Sequence, residues 1–219
     1  MIKLSDYVMQ YIAGLGVRDV FVLSGGGCMH LVDSLGKNKN LKFVVNLHEQ
    51  ASAIAADAYS QYTNNLGVAL VTTGPGGTNA LTGVAASWID SIPVLVISGQ
   101  VKRADMLLGK GVRQMGPQEV DIISLVKSIT KYAAVVMDPQ KIKFHLDKAV
   151  YLAKSGRPGP VWIDLPLDVQ GAIINEKKLA GFKEPGQVVR AKELKSKIKR
   201  LIKLINQSQR PVILAGNGI

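Results

Sequence analysis

The chain has a single cysteine, Cys28, in 219 residues. An internal disulfide is therefore excluded, and no Cys/His grouping is spaced like a metal site. No apolar run reaches the length of a membrane span, because charged, Gly or Pro residues interrupt each one. The opening residues Met1-Ile-Lys-Leu-Ser-Asp-Tyr lack the basic-then-apolar order of a signal peptide. These absences read as a cytoplasmic protein with no membrane partner. Acidic residues are also short, 16 against 27 Lys and Arg, for a net charge of +11. The deficit is local: residues 176–210 carry eleven basic and three acidic side chains, and the rest sixteen and thirteen. In that segment Leu194, Ile198, Leu201, Ile202 and Ile205 repeat at helical spacing with lysines opposite, an amphipathic helix with a solvated lysine face. No aromatics interleave with these lysines, which argues against a nucleic-acid partner.

What is present is a globular core. Hydrophobic residues make up 47% of the chain, too many for a disordered polypeptide. Helical spacing from Leu4 to Leu15 precedes a strand at Asp19–Leu23, the glycine turn Ser24-Gly25-Gly26-Gly27 and a helix from about Met29 to Leu35. Phe43-Val44-Val45 reads as a short buried strand, and Glu49 through Tyr62 as an Ala-rich helix. A strand at Gly67–Thr73 enters the turn Gly74-Pro75-Gly76-Gly77-Thr78-Asn79 and a helix to Trp88. Val94–Ile97 is the fourth strand, and Val101–Pro117 is long, Gly-bearing and weakly patterned. A helix near Glu119–Val126, a strand at Tyr132–Val136, a helix from Pro139 to Lys154 and a strand ending at Pro166 complete the series. Strands alternating with helices six times over predict an α/β fold with a parallel sheet of about six strands, covered by helices on both faces. Right-handed crossovers then place the turns at Gly25, Glu49, Gly74 and Gly99 along one carboxyl edge. The expected organisation is one domain over 1–172, a linker over 173–190, and from 191 to 219 the truncated start of a second α/β domain. Its first strand and glycine turn would lie in Arg210–Ile219.

Several stretches on that edge carry chemistry. Glu49, at a strand-to-helix turn, reads either as a carboxylate facing a ligand or as a helix-dipole partner. The Gly25-Gly26-Gly27 turn lacks the spacing of a dinucleotide fingerprint, having His30 where a third glycine would stand. Gly74-Pro-Gly-Gly-Thr-Asn lacks the Gly-Lys-Ser/Thr ending of a triphosphate loop, but its helix-start amides suit an anion or a polar ring. Thr78 or Asn79 reads as an N-cap there. Cys28 is either near a ligand or a small buried hydrophobe, and Gln118-Glu119 read locally as first-turn residues of a helix.

In order and spacing these stretches resemble the N-terminal, pyrimidine-binding domain of thiamine diphosphate-dependent enzymes of the acetolactate synthase type. The resemblance runs from Ser5 to about Gln170. It rests on Val20-Phe21 with Gly25-Gly26, His48-Glu49-Gln50-Ala51, Thr73-Gly74-Pro75-Gly76-Gly77-Thr78-Asn79 and Asp90-Ser91-Ile92-Pro93. Ser98-Gly99-Gln100-Val101, Gln118-Glu119, Thr130-Lys131 and Gly159-Pro160-Val161 complete it. It implies that Glu49 is catalytic, hydrogen-bonding a ring nitrogen of the cofactor's aminopyrimidine, while the thiazolium acts as electron sink in 2-keto acid decarboxylation. It implies a cofactor site built from Gly25, Gly26, Glu49, Thr73, Gly74, Pro75, Gly76 and Asn79, with Gln118 and Cys28 on the substrate side. No metal ligand falls in this chain. The diphosphate and its Mg2+ would be held by a C-terminal domain carrying Gly-Asp-Gly and a later Asn, contributed by a neighbouring subunit. The domain would also self-associate through its own surface, and whether FAD sits in a central domain stays open.

The chain departs from the family pattern at Pro117, where an aromatic usually precedes Gln-Glu, at Leu167, where a Lys is usual, and at Ser24, where Pro often precedes the glycines. These departures leave open which keto acid and which acceptor are used. A fragment inactive by itself is the first expectation. The rivals are the pyrimidine-binding subunit of a split keto-acid decarboxylase, and a non-catalytic interaction module of the same fold.

Overall fold

A computed structural model describes residues 1–107, 109–185 and 191–216. The chain forms two units, Met1–Phe182 and Lys183–Ile219.

In the first unit a two-residue strand β1 (Ile2–Lys3) leads into α1 (Leu4–Gly14), β2 (Asp19–Val22) and α2 (Met29–Lys37). There follow β3 (Lys42–Val45), α3 (Glu49–Thr63), β4 (Gly67–Val71), α4 (Pro75–Asn79), α5 (Leu81–Asp90) and β5 (Val94–Gln100). The unit continues through α6 (Ile122–Val126), β6 (Tyr132–Val135), α7 (Ile142–Lys154), β7 (Val161–Pro166), α8 (Leu167–Gln170) and β8 (Ile173–Ile174). Six strands pair in the order β3-β2-β4-β5-β7-β6, every pair parallel. This is the α/β architecture expected, with a hydrophobic cluster on each face of the sheet. Every residue of β4, β5 and β7 is buried, which is why these strands read as mostly apolar runs instead of alternating ones.

β3 differs from expectation. It is the edge strand, bonded to β2 alone, and all four of its residues are exposed. A three-residue apolar run cannot reveal whether the sheet continues beyond it, so Phe43, Val44 and Val45 looked like core. The helix after Gly74 is also two helices, and the one expected near Glu119–Val126 is only α6, with Asp121 as its N-cap.

The first unit runs ten residues past the boundary at 172 read from the sequence. β8 pairs antiparallel with β1, Ile2 opposite Ile174. Ile174 and Leu179 are core residues, and Phe182 packs on Phe144 and Tyr151 of α7. A two-residue strand has no periodicity to read. In the second unit α9 (Ala191–Gln207) is the expected amphipathic helix, with Leu194, Ile198, Leu201, Ile202 and Ile205 exposed. Residues 211–216 form no strand; a strand needs a hydrogen-bonding neighbour, and Pro211–Leu214 has none among the described residues. The end of that expected unit, 217–219, lies outside them.

Helix α3 lies so close on β4 that a Cβ built on Gly67 would stand 1.9 Å from the carbonyl oxygen of Ala56. The obstacle is helix backbone, which cannot rotate away. Gly67→Ala is therefore expected to lower stability by about 2 kcal/mol, read as a lower urea midpoint at unchanged slope.

Candidate functional site

Parallel strands bring their carboxyl ends to one edge, and there two turns meet the end of a strand. Thr72–Gly74 follows β4, Gly25–Gly27 follows β2, and Gly99 lies near the end of β5. They are laced by side chain to backbone: Gly27 N donates to Thr72 Oγ1 at 3.2 Å, and Thr73 Oγ1 donates to Gly99 O at 3.0 Å. A Cβ on Gly99 would fall 2.0 Å from Gly27 O, so the end of β5 and the glycine turn touch through bare backbone. Gly25 likewise backs onto the Thr72 side chain, while Gly26 faces open space. Gly74 has φ +61°, a conformation that side-chain-bearing residues rarely adopt. A Cβ there would also meet Gln118 O at 1.9 Å.

Glu49 sits at the start of α3, and its residue is only 6% exposed. His48 caps the helix, its Nδ1 accepting from Gln50 N at 3.2 Å. The Glu49 carboxylate thus lies among helix-start amides that favour negative charge. Asn79 Nδ2 donates to Glu49 Oε2 at 3.0 Å. Oε1 faces Gly76, where a Cβ would stand 3.1 Å away. Glu49, Gly76 and Asn79 therefore form one contact group.

Neither Thr78 nor Asn79 is an N-cap. Pro75 is the first residue of α4, Thr78 Oγ1 donates back to Pro75 O, and Asn79 is the helix's last residue. Of the amides at the start of α4, those of Gly76 and Thr78 are bonded to Thr73 O and Gly74 O.

A cavity of about 370 Å³ opens on the same edge, lined in part by Gly26, Thr73, Gln100, Pro117, Gln118 and Leu167. Glu49 is not in its wall. Gln118 enters the wall from a left-handed backbone, φ +59°. Cys28 does not reach the cavity. It is fully buried, its Sγ donating to Gly25 O at 3.4 Å, and burial pushes its thiol pKa up. In this packing it is a small, polarizable side chain beneath the glycine turn.

Two residues of this edge escaped sequence reasoning. Gln100, the last residue of β5, donates to Asp164 Oδ2 at 3.0 Å and to Val120 O at 3.2 Å, and accepts from Val101 N at 2.9 Å. It closes the neck of the long segment that follows β5. Asp164, wholly buried in β7, also accepts from Ser98 Oγ at 2.5 Å, and Ser98 in turn accepts from Trp162 Nε1 at 2.7 Å. Burial raises the Asp164 pKa to about 7, against the pull of its two donors. The signal was legible: an Asp inside the apolar run Val161-Trp-Ile-Asp-Leu is a charge that must find partners.

No three His, Cys, Asp or Glu side chains among the described residues group as a metal site, and no helix there is long and apolar enough to cross a membrane. Residues 2–125 match the family described as thiamine pyrophosphate enzyme, N-terminal TPP binding domain. The chain is 35% identical over 221 residues to acetolactate synthase 2, chloroplastic, of Nicotiana tabacum, a match over 99% of this chain and 32% of that protein. It is 37% identical to the acetolactate synthase large subunit of Buchnera aphidicola subsp. Acyrthosiphon pisum, over 98% and 37%. With the Lactococcus lactis acetolactate synthase large subunit the identity is 35%, over 98% and 36%. The chain thus spans about a third of the length of these curated relatives. With more than half of its residues matched, and the buried Glu49 placed among the glycine turns of a parallel sheet edge, the chain belongs to the thiamine pyrophosphate enzyme family, as an N-terminal TPP-binding domain.

Proposed function

We propose that the chain is the pyrimidine-binding part of an acetolactate synthase-like enzyme. Such an enzyme decarboxylates a 2-keto acid and ligates or releases the resulting aldehyde unit. The observation that carries this reading is the Glu49 carboxylate, buried at a helix start, with one oxygen held by Asn79 and the other facing a glycine. When bound, thiamine diphosphate supplies an electron sink for decarboxylation. Glu49 Oε1 is the oxygen left for a ring nitrogen of the aminopyrimidine, and burial strengthens that hydrogen bond and the proton sharing it permits. Gly76 keeps the approach to Oε1 clear, since any Cβ there would crowd it. Gln118 lines the cavity that would take the keto acid, beside Gly26 and Thr73 of the expected cofactor site, and Pro117 and Leu167 give it apolar wall.

The diphosphate and Mg2+ fall, on this reading, to a diphosphate-binding domain of a neighbouring subunit. The surface beside Glu49 suits such a contact. Phe43 and Val45 of the edge strand are more than half exposed, and Leu47 is 99% exposed two residues before the buried carboxylate. Apolar exposure of this kind marks an interaction surface, and it serves self-association equally.

Thiamine titrated into the 15N-labelled chain is expected to shift the Asn79 side-chain amide and the Gly76 and Gln50 backbone amides. Glu49→Gln should abolish those shifts. Thiamine moving none of these signals, or moving them equally in the variant, would sink the proposal.

A further inference from the structure

We propose that Glu119 is a positioning residue, which holds Gln118 in the cavity wall by organising the segment in front of it. The inference rests on reading the cavity as the keto-acid side of a thiamine diphosphate site. Local sequence suggests that Glu119 belongs to the first turn of a helix, but α6 starts at Ile122 and Asp121 caps it, accepting from Ser124 N at 3.1 Å. The Glu119 side chain turns the other way. Its Oε1 accepts from Leu107 N, and its Oε2 accepts from Met115 N and Gly116 N, both at 3.2 Å. These three amides belong to a stretch without regular secondary structure. Backbone donors need partners, and bonds to an ionised carboxylate are the stronger kind. One side chain thus gathers Leu107 and residues eight and nine positions further on onto a single point.

That point adjoins Gln118. A non-glycine residue at φ +59° is uncommon and persists only where its surroundings over-determine it. Here each flank is fixed. Glu119 N donates to Gly116 O at 3.2 Å, Val120 O accepts from Gln100 Nε2, and Gln118 O lodges against the bare Gly74. Gly116 packs against Val101, another residue of the cavity wall. Without the carboxylate, the amides of Leu107, Met115 and Gly116 return to water and the turn that presents Gln118 loses its brace. The Gln118 side chain then samples positions away from the cavity. Glu119 acts only through this neighbour, because it is not in the wall itself.

The test combines exchange and kinetics. In the 219-residue chain, Glu119→Ala is expected to speed hydrogen exchange at Leu107, Met115 and Gly116 about 10-fold or more, with β5 and β7 unchanged. Glu119→Gln, which keeps one acceptor oxygen, should restore part of the protection. In the enzyme assembled with a diphosphate-binding domain, Glu119→Ala and Gln118→Ala should each raise KM for the keto acid about 10-fold while kcat stays within about twofold. The double variant should be no worse than Gln118→Ala alone, because the two residues act as one unit. Additive losses would overturn the proposal, as would faster exchange with an unchanged KM, which would leave Glu119 a loop brace only. If Gln118→Ala itself leaves KM untouched, the cavity is not the keto-acid side and the proposal falls with it. Glu49→Gln then decides separately whether the cofactor reading survives.

Discussion

Glu49→Gln is expected to cut turnover of the assembled enzyme by about 10²–10⁴-fold, the range that a positioned proton-sharing group contributes. Gln is close to isosteric with Glu, and its amide oxygen can still accept from Asn79 at the Oε2 position. The amide nitrogen then stands at the Oε1 position, presenting a donor where a carboxylate oxygen is needed. Fold and cavity should be untouched, so the loss belongs to the chemistry and not to unfolding. Removing a partly buried charge can even leave the chain slightly more stable. Asn79→Ala should cost less, since it frees Oε2 without removing the carboxylate. Steady-state rates at saturating thiamine diphosphate, Mg2+ and keto acid give the measurement. A variant retaining more than about a tenth of wild-type turnover would exclude Glu49 from the role.

The second large effect is one of pH. Asp164 is held protonated up to about pH 7 in the folded chain, against an ordinary value of 3.8. Burial is the main cause, the charge of Asp121 adds to it, and the bonds from Ser98 and Gln100 work against it. Between about pH 4 and pH 7 the native state therefore keeps a proton that the unfolded chain releases. Stability falls as pH rises through that window, at about 1.4 kcal/mol for each pH step of one and by up to about 4 kcal/mol across the whole of it. Asp164→Asn carries no charge at any pH and should lose this slope. Its amide can donate to Ser98 Oγ and still accept from Gln100, so the network survives in the neutral form. Urea midpoints across the window, wild type against variant, provide the check. Parallel profiles would show that Asp164 does not set the slope.

Much of the fold was legible because its signals are local. Val94–Ile97 and Val161–Leu165 announce buried parallel strands by apolar runs rich in Val and Ile, the second broken only by Asp164, and Gly25 and Gly74 mark turns by composition alone. The position of Glu49 at the start of α3 was legible for the same reason, standing between a strand and an Ala-rich helix. What stayed hidden depends on partners distant in sequence. Whether Phe43–Val45 is core or edge is decided by the presence of another strand beside it. The reach of Glu119 to Leu107 depends on a segment with no periodicity, and Cys28 can be told from a site thiol only when the helices above it are in place. Asn79 is the instructive case: thirty residues from Glu49 in sequence, it was assigned to the site by family pattern, and only the geometry gives it a bond to make.

The pairing of Ile2–Lys3 with Ile173–Ile174 has a consequence for modularity. The first unit returns to its opening strand at Ile173–Ile174 before its last residues, through Phe182, pack on α7, so the beginning and the closing stretch of the unit are neighbours in space. A unit with adjacent ends can be carried within a larger protein, permuted, or cut from it without threading a chain through the core. Joining the first residues to a point just beyond Phe182 through a flexible linker, so that Ile174, Leu179 and Phe182 keep their packing, and opening the chain at an exposed turn, such as Asn38-Lys39-Asn40, should therefore yield a protein with the same sheet order.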